Sequence, residues 1–129
     1  MDYIFDSNRP IYLQIIEIIK NNIISGIYNP GDKIPSVREF AATFKVNPNT
    51  IVKSLYFLEI EGLIYTDRTN GKFITNDLSL IKKNKEIVAK EKINTFFNDM
   101  ENLGYSRAFN KALAALLFGI ACCYDISNV

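Results

Sequence analysis

Pro35-Ser36-Val37-Arg38-Glu39, followed by Val46-Asn47-Pro48-Asn49-Thr50, is the stretch that decides the fold. It holds two helix starts in quick succession. Ser36 and Glu39 make the Ser-x-x-Glu pattern, in which each side chain satisfies the other residue's backbone N–H, so a helix over roughly 36–43 is predicted. Val37, Phe40 and Ala41 give that helix an inner face, and Phe44 and Val46 pack the turn after it. Asn47 is a strong cap, and Pro48 falls in a first turn, where its missing N–H costs least. A further helix is predicted from Pro48 to about Glu61, with Ile51, Leu55 and Leu58 on its inner side and Val52 and Ile60 less clearly placed. Gly62 stops it.

Working outward, Pro10-Ile11 opens an earlier helix. Ile11, Ile15, Ile19 and Ile23 recur at a helical spacing, and Leu13, Ile16 and Ile24 widen the stripe. Ser25-Gly26 ends it, and Asn29-Pro30-Gly31-Asp32 is a turn. On the other side, Leu63-Ile64-Tyr65-Thr66 reads as a strand and Lys72-Phe73-Ile74-Thr75 as its return. Between them, Asp67-Arg68-Thr69-Asn70-Gly71 carries the Asn-Gly hairpin signal. Three helices, a strand, a tight turn and a strand make residues 1–76 a winged helix-turn-helix. Residues 77–129 differ in composition. Lys82-Lys83-Asn84-Lys85 begins a charged helical region in which Ala89, Ile93, Phe96, Met100 and Leu103 follow at spacings of four and three. Gly104 breaks it, and a last helix covers Ser106 to about Tyr124. The expected fold class is mainly α with a small β-hairpin: a winged helix-turn-helix followed by a two-helix dimerisation tail.

Composition gives little away. The chain has 129 residues and a net charge of +1, and within residues 1–75 eight basic side chains face eight acidic ones, so any nucleic-acid contact needs a local patch. There is no histidine, no Gly-rich phosphate loop and no paired carboxylate arrangement, so neither an enzyme nor a cofactor is expected. Cys122 and Cys123 are adjacent, which suits neither a disulfide framework nor a metal site, and they are expected to be buried apolar side chains. The chain opens Met-Asp-Tyr-Ile-Phe-Asp rather than with a secretory leader, which points to the cytoplasm. The apolar run from Ala112 to Tyr124 is too short to span a bilayer.

Several motifs in order resemble the GntR family of bacterial transcription regulators, specifically its small YtrA-like subfamily. They are Ile11-Tyr12-Leu13-Gln14-Ile15, Pro30-Gly31-Asp32-Lys33-Ile34-Pro35-Ser36-Val37-Arg38-Glu39, Val46-Asn47-Pro48-Asn49-Thr50-Ile51 and Leu58-Glu59-Ile60-Glu61-Gly62-Leu63-Ile64, and together they cover roughly residues 9–75. The resemblance implies a homodimer that binds double-stranded DNA at an inverted-repeat operator. Two departures stand out. The family wing reads basic-basic-Gly-x-Gly, whereas here Asp67 replaces a basic residue and Thr69 the first glycine. The tail from Ala112 to Cys123 is also more apolar than the subfamily pattern implies.

Candidate contacts follow from side-chain chemistry. The Arg38 fork can hold a guanine edge or a phosphate, unless Glu39 or Glu17 pairs with it. Asn47, Asn49 and Thr50 open the third helix, where Asn47 is partly committed to capping while Asn49 and Thr50 can reach bases or phosphate. Ser36 adds a cap and a backbone N–H for phosphate. Lys53 lies one turn along and would touch the DNA backbone. Arg68 and Lys72 flank the wing tip and would approach the minor groove, with Asp67 working against them. Lys33 and Lys45 are backbone clamps of low specificity, and Tyr56 and Tyr65 read as core or core-edge residues. Ala89, Ile93, Phe96, Met100, Leu103, Leu113, Leu116 and Leu117 are the dimer-core candidates.

Three functional readings stay open at this point. The leading one is a dimeric regulator, more often a repressor. A second is a winged-helix protein-interaction module without specific DNA binding. A third gives the tail an unknown small-molecule effector in an apolar cleft.

Overall fold

A computed structural model describes residues 2–118, and the chain divides into two compact units between Lys85 and Glu86. The first unit holds α1 (Ile11–Ile24), α2 (Val37–Phe44), α3 (Pro48–Ile60), β1 (Ile64–Asp67) and β2 (Gly71–Ile74). Helix α4 (Leu78–Asn102) begins in the first unit and continues into the second, which also contains α5 (Arg107–Phe118). Cys122, Cys123 and the expected helix end at Tyr124 lie outside the described residues, as does the side chain of Leu117.

The first unit folds around Ile15, Ile19, Ile23, Ile51, Leu55, Leu58, Leu63, Ile64 and Ile74, each at most 2% exposed. The α1 stripe is narrower than the sequence suggests. Ile11 and Leu13 are 42% and 39% exposed, while Gln14 is buried in their place. Gln14 Nε2 donates to the carbonyls of Asp6 (2.8 Å) and Arg9 (3.0 Å), and its Oε1 accepts from Asp6 N–H at 2.8 Å. A buried amide with every strong group satisfied fastens the segment before α1 to the core. Ser54, fully buried on α3, bonds the Thr50 carbonyl (2.9 Å) and the Tyr12 carbonyl (3.1 Å), tying α3 to α1.

The helix starts follow their caps. Ser36 Oγ accepts from Glu39 N–H at 3.2 Å, and Ser36 N–H donates to Glu39 Oε2 at 2.7 Å. Asn47 Oδ1 accepts from Asn49 N–H at 2.8 Å. Between α2 and α3, Lys45 adopts the left-handed conformation (φ 56°), which turns the chain from one helix into the next. Helix α4 starts ahead of the lysine cluster because Asp77 Oδ1 accepts from the N–H groups of Ser79 and Leu80 and from the Ser79 hydroxyl. Its first turns lay Leu80 and Ile81 against the winged core.

The capping box makes a stability prediction. Ser36→Ala is expected to cost about 1 kcal/mol. The Ser36 backbone N–H, with its hydroxyl, holds the Glu39 carboxyl below its ordinary value. A carboxyl lowered in the folded state stabilises above its unfolded pKa, and that stabilisation is lost as pH falls through the folded value. With no histidine, the thermal midpoint should be nearly flat from roughly pH 5 to 8 and should fall on further acidification, only slightly less steeply in Ser36→Ala, which keeps the backbone N–H and loses the hydroxyl alone. Circular dichroism melts across pH check both statements.

The hairpin differs from its sequence reading. The register pairs Ile64 with Ile74, Tyr65 with Phe73, Thr66 with Lys72 and Asp67 with Gly71. Asn70-Gly71 is therefore not the centre of a two-residue turn. Arg68, Thr69 and Asn70 form the loop, and Gly71, at φ 104°, closes it. The cause is Asp67, whose Oδ1 accepts from Thr69 N–H (2.9 Å) and Thr69 Oγ1 (2.8 Å) while Oδ2 accepts from Asn70 Nδ2 (3.2 Å). The segment before α2 pairs with the other edge of β2: Ile34 N–H donates to the Lys72 carbonyl and Ile74 N–H to the Asp32 carbonyl, with a bridge between Lys33 and Phe73. The Asn29–Asp32 turn thus leads into a short third strand position that alternation alone did not reveal.

In the second unit, α4 and α5 are joined through Gly104 at φ 98°. Phe97 is fully buried there, whereas Phe96 and Leu103 are 45% and 74% exposed. Ala89, Ile93, Met100 and Leu113 are half-buried, and Leu116 is 83% exposed. Arg107 sits over the Phe97 ring and pairs with Glu101 at 3.2 Å. Asn110 is fully buried, and neither its Oδ1 nor its Nδ2 has a partner among the described residues. Such a side chain loses hydration with no compensating bond, a cost of about 1–3 kcal/mol. Asn110→Leu is therefore expected to raise the unfolding midpoint. A lowered midpoint would mean that Asn110 is hydrogen-bonded in solution, to water or to another chain.

Candidate nucleic-acid interface

The side chains of α3 that point away from Ile51, Leu55 and Leu58 are Asn49, Lys53, Tyr56 and Ile60, as the helical period requires. Asn49 is exposed at the very start of the helix, and its side chain makes no hydrogen bond among the described residues. Asn47 spends Oδ1 on the cap, as its sequence position implies, and keeps its amide donor. Thr50 is half-buried. The Lys53 ammonium rests 3.8 Å from the centre of the Tyr12 ring, which is itself stacked on Phe57. Tyr56 is 59% exposed and Tyr65 43% exposed, so neither is a core residue; Tyr65 stacks on Phe73 along the hairpin.

Arg38 lies in the first turn of α2, exposed, with no ion pair or hydrogen bond among the described residues. Both carboxylates that could have neutralised it are engaged elsewhere: Glu39 in the capping box and Glu17 with Arg9. The Ser36 N–H is also taken, by Glu39, so the first free backbone donors of α2 are those of Val37 and Arg38. An open groove of about 640 Å³ runs from this helix start to the wing and is lined by Lys33, Ser36, Glu39, Gly71 and Lys72.

Charge pairing sorts the cations of the first 75 residues. Arg9 pairs with Glu17, Lys20 with Glu61 at 2.6 Å, Lys45 with Asp2 at 2.7 Å and Lys72 with Glu59 at 3.0 Å. Lys33, Arg38, Lys53 and Arg68 have no ion pair among the described residues. They stand at the entry to α2, in its first turn, on the outer side of α3 and at the wing tip. The Lys45 and Arg9 pairs are well exposed and bind weakly. Lys72 is more enclosed, and its ammonium also donates to Thr66 Oγ1. The two flanking wing cations therefore differ: Arg68 is open and Lys72 is turned back onto α3.

The acidic side chains follow the same division of labour. Asp67 is held below its ordinary value by Thr69 N–H first, then by the Thr69 hydroxyl and the Asn70 amide, so its charge is spent on closing the wing turn. The Glu59 carboxyl is lowered first by the Thr66 hydroxyl and then by Lys72. Neither Glu59 nor Thr66 carried a local sequence signal, because their partners arrive from a different element.

The profile of the "Bacterial regulatory proteins, gntR family" matches residues 11–74. The HTH-type transcriptional regulator YhcF of Bacillus subtilis is 38% identical over 107 residues, 83% of this chain and 88% of that protein. The HTH-type transcriptional repressor YtrA of Bacillus subtilis is 40% identical over 99 residues, 76% of each. Among solved structures, a GntR family transcriptional regulator from Listeria monocytogenes superposes with a TM-score of 0.77 at 37% identity, covering 88% of this chain and 99% of that one. The AraR DNA-binding domain in complex with operator ORX1 superposes with a TM-score of 0.51 at 30% identity, covering 58% of this chain and 92% of that one.

Proposed function

Since this chain belongs to the GntR family of bacterial DNA-binding transcriptional regulators, in its small YtrA-like branch, we propose that it is a repressor that binds an inverted-repeat operator as a homodimer. The observation that carries this reading is the distribution of unpaired cations. Residues 1–75 are neutral as a whole, yet their four cations without an ion pair among the described residues lie around the starts of α2 and α3 and at the wing tip. In the proposed complex α3 enters the major groove by its N-terminal end. Asn49 and Thr50 meet bases or the adjoining backbone, and Arg38 grips a guanine edge or a phosphate beside them. Lys33 and Lys53 hold phosphates, Arg68 approaches the minor groove, and Ser36 and Asn47 set the two helix starts in place.

One winged unit spans only a few base pairs, so two must be coupled for tight binding, and the second unit supplies the coupling in this proposal. Phe96 and Leu103 on α4 and Leu116 on α5 are exposed apolar side chains, with Ala89, Ile93, Met100 and Leu113 half-buried beside them. In this proposal they form the dimer seam. Two tethered readers address both half-sites at high effective concentration. Among the described residues no helix is long and apolar enough to cross a membrane. Repression follows where the operator overlaps the promoter and the bound dimer excludes polymerase.

The test is capture of bound genomic DNA, followed by titration of the best site at several salt concentrations and by sedimentation of the free protein. Selective, salt-sensitive binding to an inverted repeat by a dimer supports the proposal. A folded protein that prefers no site, or one that stays monomeric at working concentration, overturns it. The second reading, a protein-contact module, is favoured by one observation: Val52, Tyr56 and Ile60 are 53%, 59% and 63% exposed along α3. Absence of salt-sensitive DNA binding would select it.

A further inference from the structure

Glu59, in the last turn of α3, touches both strands of the wing. Its Oε1 accepts from the Thr66 hydroxyl at 2.6 Å on β1, and its Oε2 accepts from the Lys72 ammonium at 3.0 Å on β2. Thr66 Oγ1 in turn accepts from Lys72 at 2.5 Å. Thr66 and Lys72 face one another directly in the hairpin register, so the three side chains close a ring across three elements. Both carboxylate oxygens are used, and the Lys72 and Glu59 side chains are 29% and 37% exposed, more enclosed than the free side chains around them.

An ion pair this exposed adds little to stability, so its consequence lies in the charge presented to a ligand. Non-specific DNA affinity rises with each cation that neutralises a phosphate, whereas base contacts carry the preference for one sequence. Lys72 lines the groove between the α2 start and the wing, where an unpaired ammonium would add one sequence-blind contact. Resting on the DNA-binding reading above, we propose that Glu59 is a specificity-determining residue: it cancels Lys72 and fixes the hairpin to the recognition helix, leaving Arg68 as the wing's DNA-binding cation. The carboxylate thereby lowers affinity for arbitrary duplex while leaving the contacts of Arg38 and Asn49 untouched. Arg68 follows Thr66 by two residues in the chain, so the same ring also sets where the wing tip stands.

The experiment measures binding of the full chain to its operator and to a scrambled duplex across salt concentrations. Glu59→Gln keeps the shape and removes the charge. It is expected to steepen the slope of log K against log salt on scrambled DNA by about 0.9 per wing, and to lower the operator-to-scrambled ratio. Lys72→Met is expected to leave the wild-type slope unchanged, and Arg68→Ala to make it shallower by about 0.9 per wing. The Glu59→Gln, Lys72→Met double variant should return to the wild-type slope. An unchanged slope in Glu59→Gln, or a slope in Lys72→Met as shallow as that of Arg68→Ala, overturns the proposal. If Glu59→Gln fails to fold, the comparison of Lys72→Met with Arg68→Ala decides alone. Wild-type protein with no salt-sensitive binding to either duplex removes the DNA-binding reading itself, whereas normal wild-type binding with unaltered variant slopes removes only the role of Glu59.

Discussion

Replacing both Arg38 and Asn49 by alanine is expected to remove at least about thirtyfold of the operator affinity, because each base-edge contact is worth about 1–3 kcal/mol. Both side chains are exposed and unpartnered among the described residues, so the fold should be unaffected within about 0.5 kcal/mol. Arg38 sharpens the test. It places a positive charge in the first turn of α2, at the positive end of the helix dipole, where a cation is mildly unfavourable. Arg38→Ala should therefore melt at the same temperature as wild type or slightly higher while binding DNA more weakly. Loss of binding with unchanged or raised stability marks a residue held for its contact rather than for the fold. Gel-shift or fluorescence titration against the captured operator, with a parallel thermal melt, gives both quantities. Affinity that survives the double substitution would place the readout elsewhere on the winged unit.

Phe97→Ala is expected to be the most damaging single change in the second unit. The ring is completely buried there, and emptying such a site costs about 3–5 kcal/mol from the lost transfer energy and the cavity left behind. Phe96→Ala, next to it and 45% exposed, should cost much less in the folding of one chain. The two substitutions separate two roles. Phe97 is buried within a chain with Arg107 of α5 over its ring, whereas Phe96 is proposed to face the second copy. Phe97→Ala should thus lower the unfolding midpoint of the second unit even in dilute protein, and Phe96→Ala should act through the monomer–dimer equilibrium. Denaturant titration at several protein concentrations distinguishes them. A Phe96→Ala midpoint that falls independently of concentration, with Phe97→Ala near wild type, would reverse the assignment.

Local rules were enough for the helix starts. Ser36 with Glu39, and Asn47 with Pro48, satisfy backbone groups within their own turn, so their effect on the chain can be read residue by residue. The isoleucine stripe of α1 and the stop at Gly62 are equally local, and together they define a winged helix-turn-helix before any comparison. The wing was legible in place but not in detail. The Asn-Gly signal located the hairpin, yet the Asp67 side chain reached across the turn and moved its centre to Arg68-Thr69-Asn70.

What only the tertiary structure decided is which charges remain uncancelled and which aromatic ring goes inside. Eight acids opposite eight bases in the first 75 residues gave no sign of a basic surface. Pairing sorted them because Glu61 meets Lys20 and Glu59 meets Lys72 across different elements, and because Arg9 and the capping box engage Glu17 and Glu39. The heptad-like spacing of α4 favoured Phe96, while Phe97, a full turn beyond Ile93, lies in the buried part of the second unit. Caps and periodicity act over a turn or two, so the sequence states them directly. Electrostatic cancellation and burial depend on which side chains meet in space, so they are settled only when the elements pack.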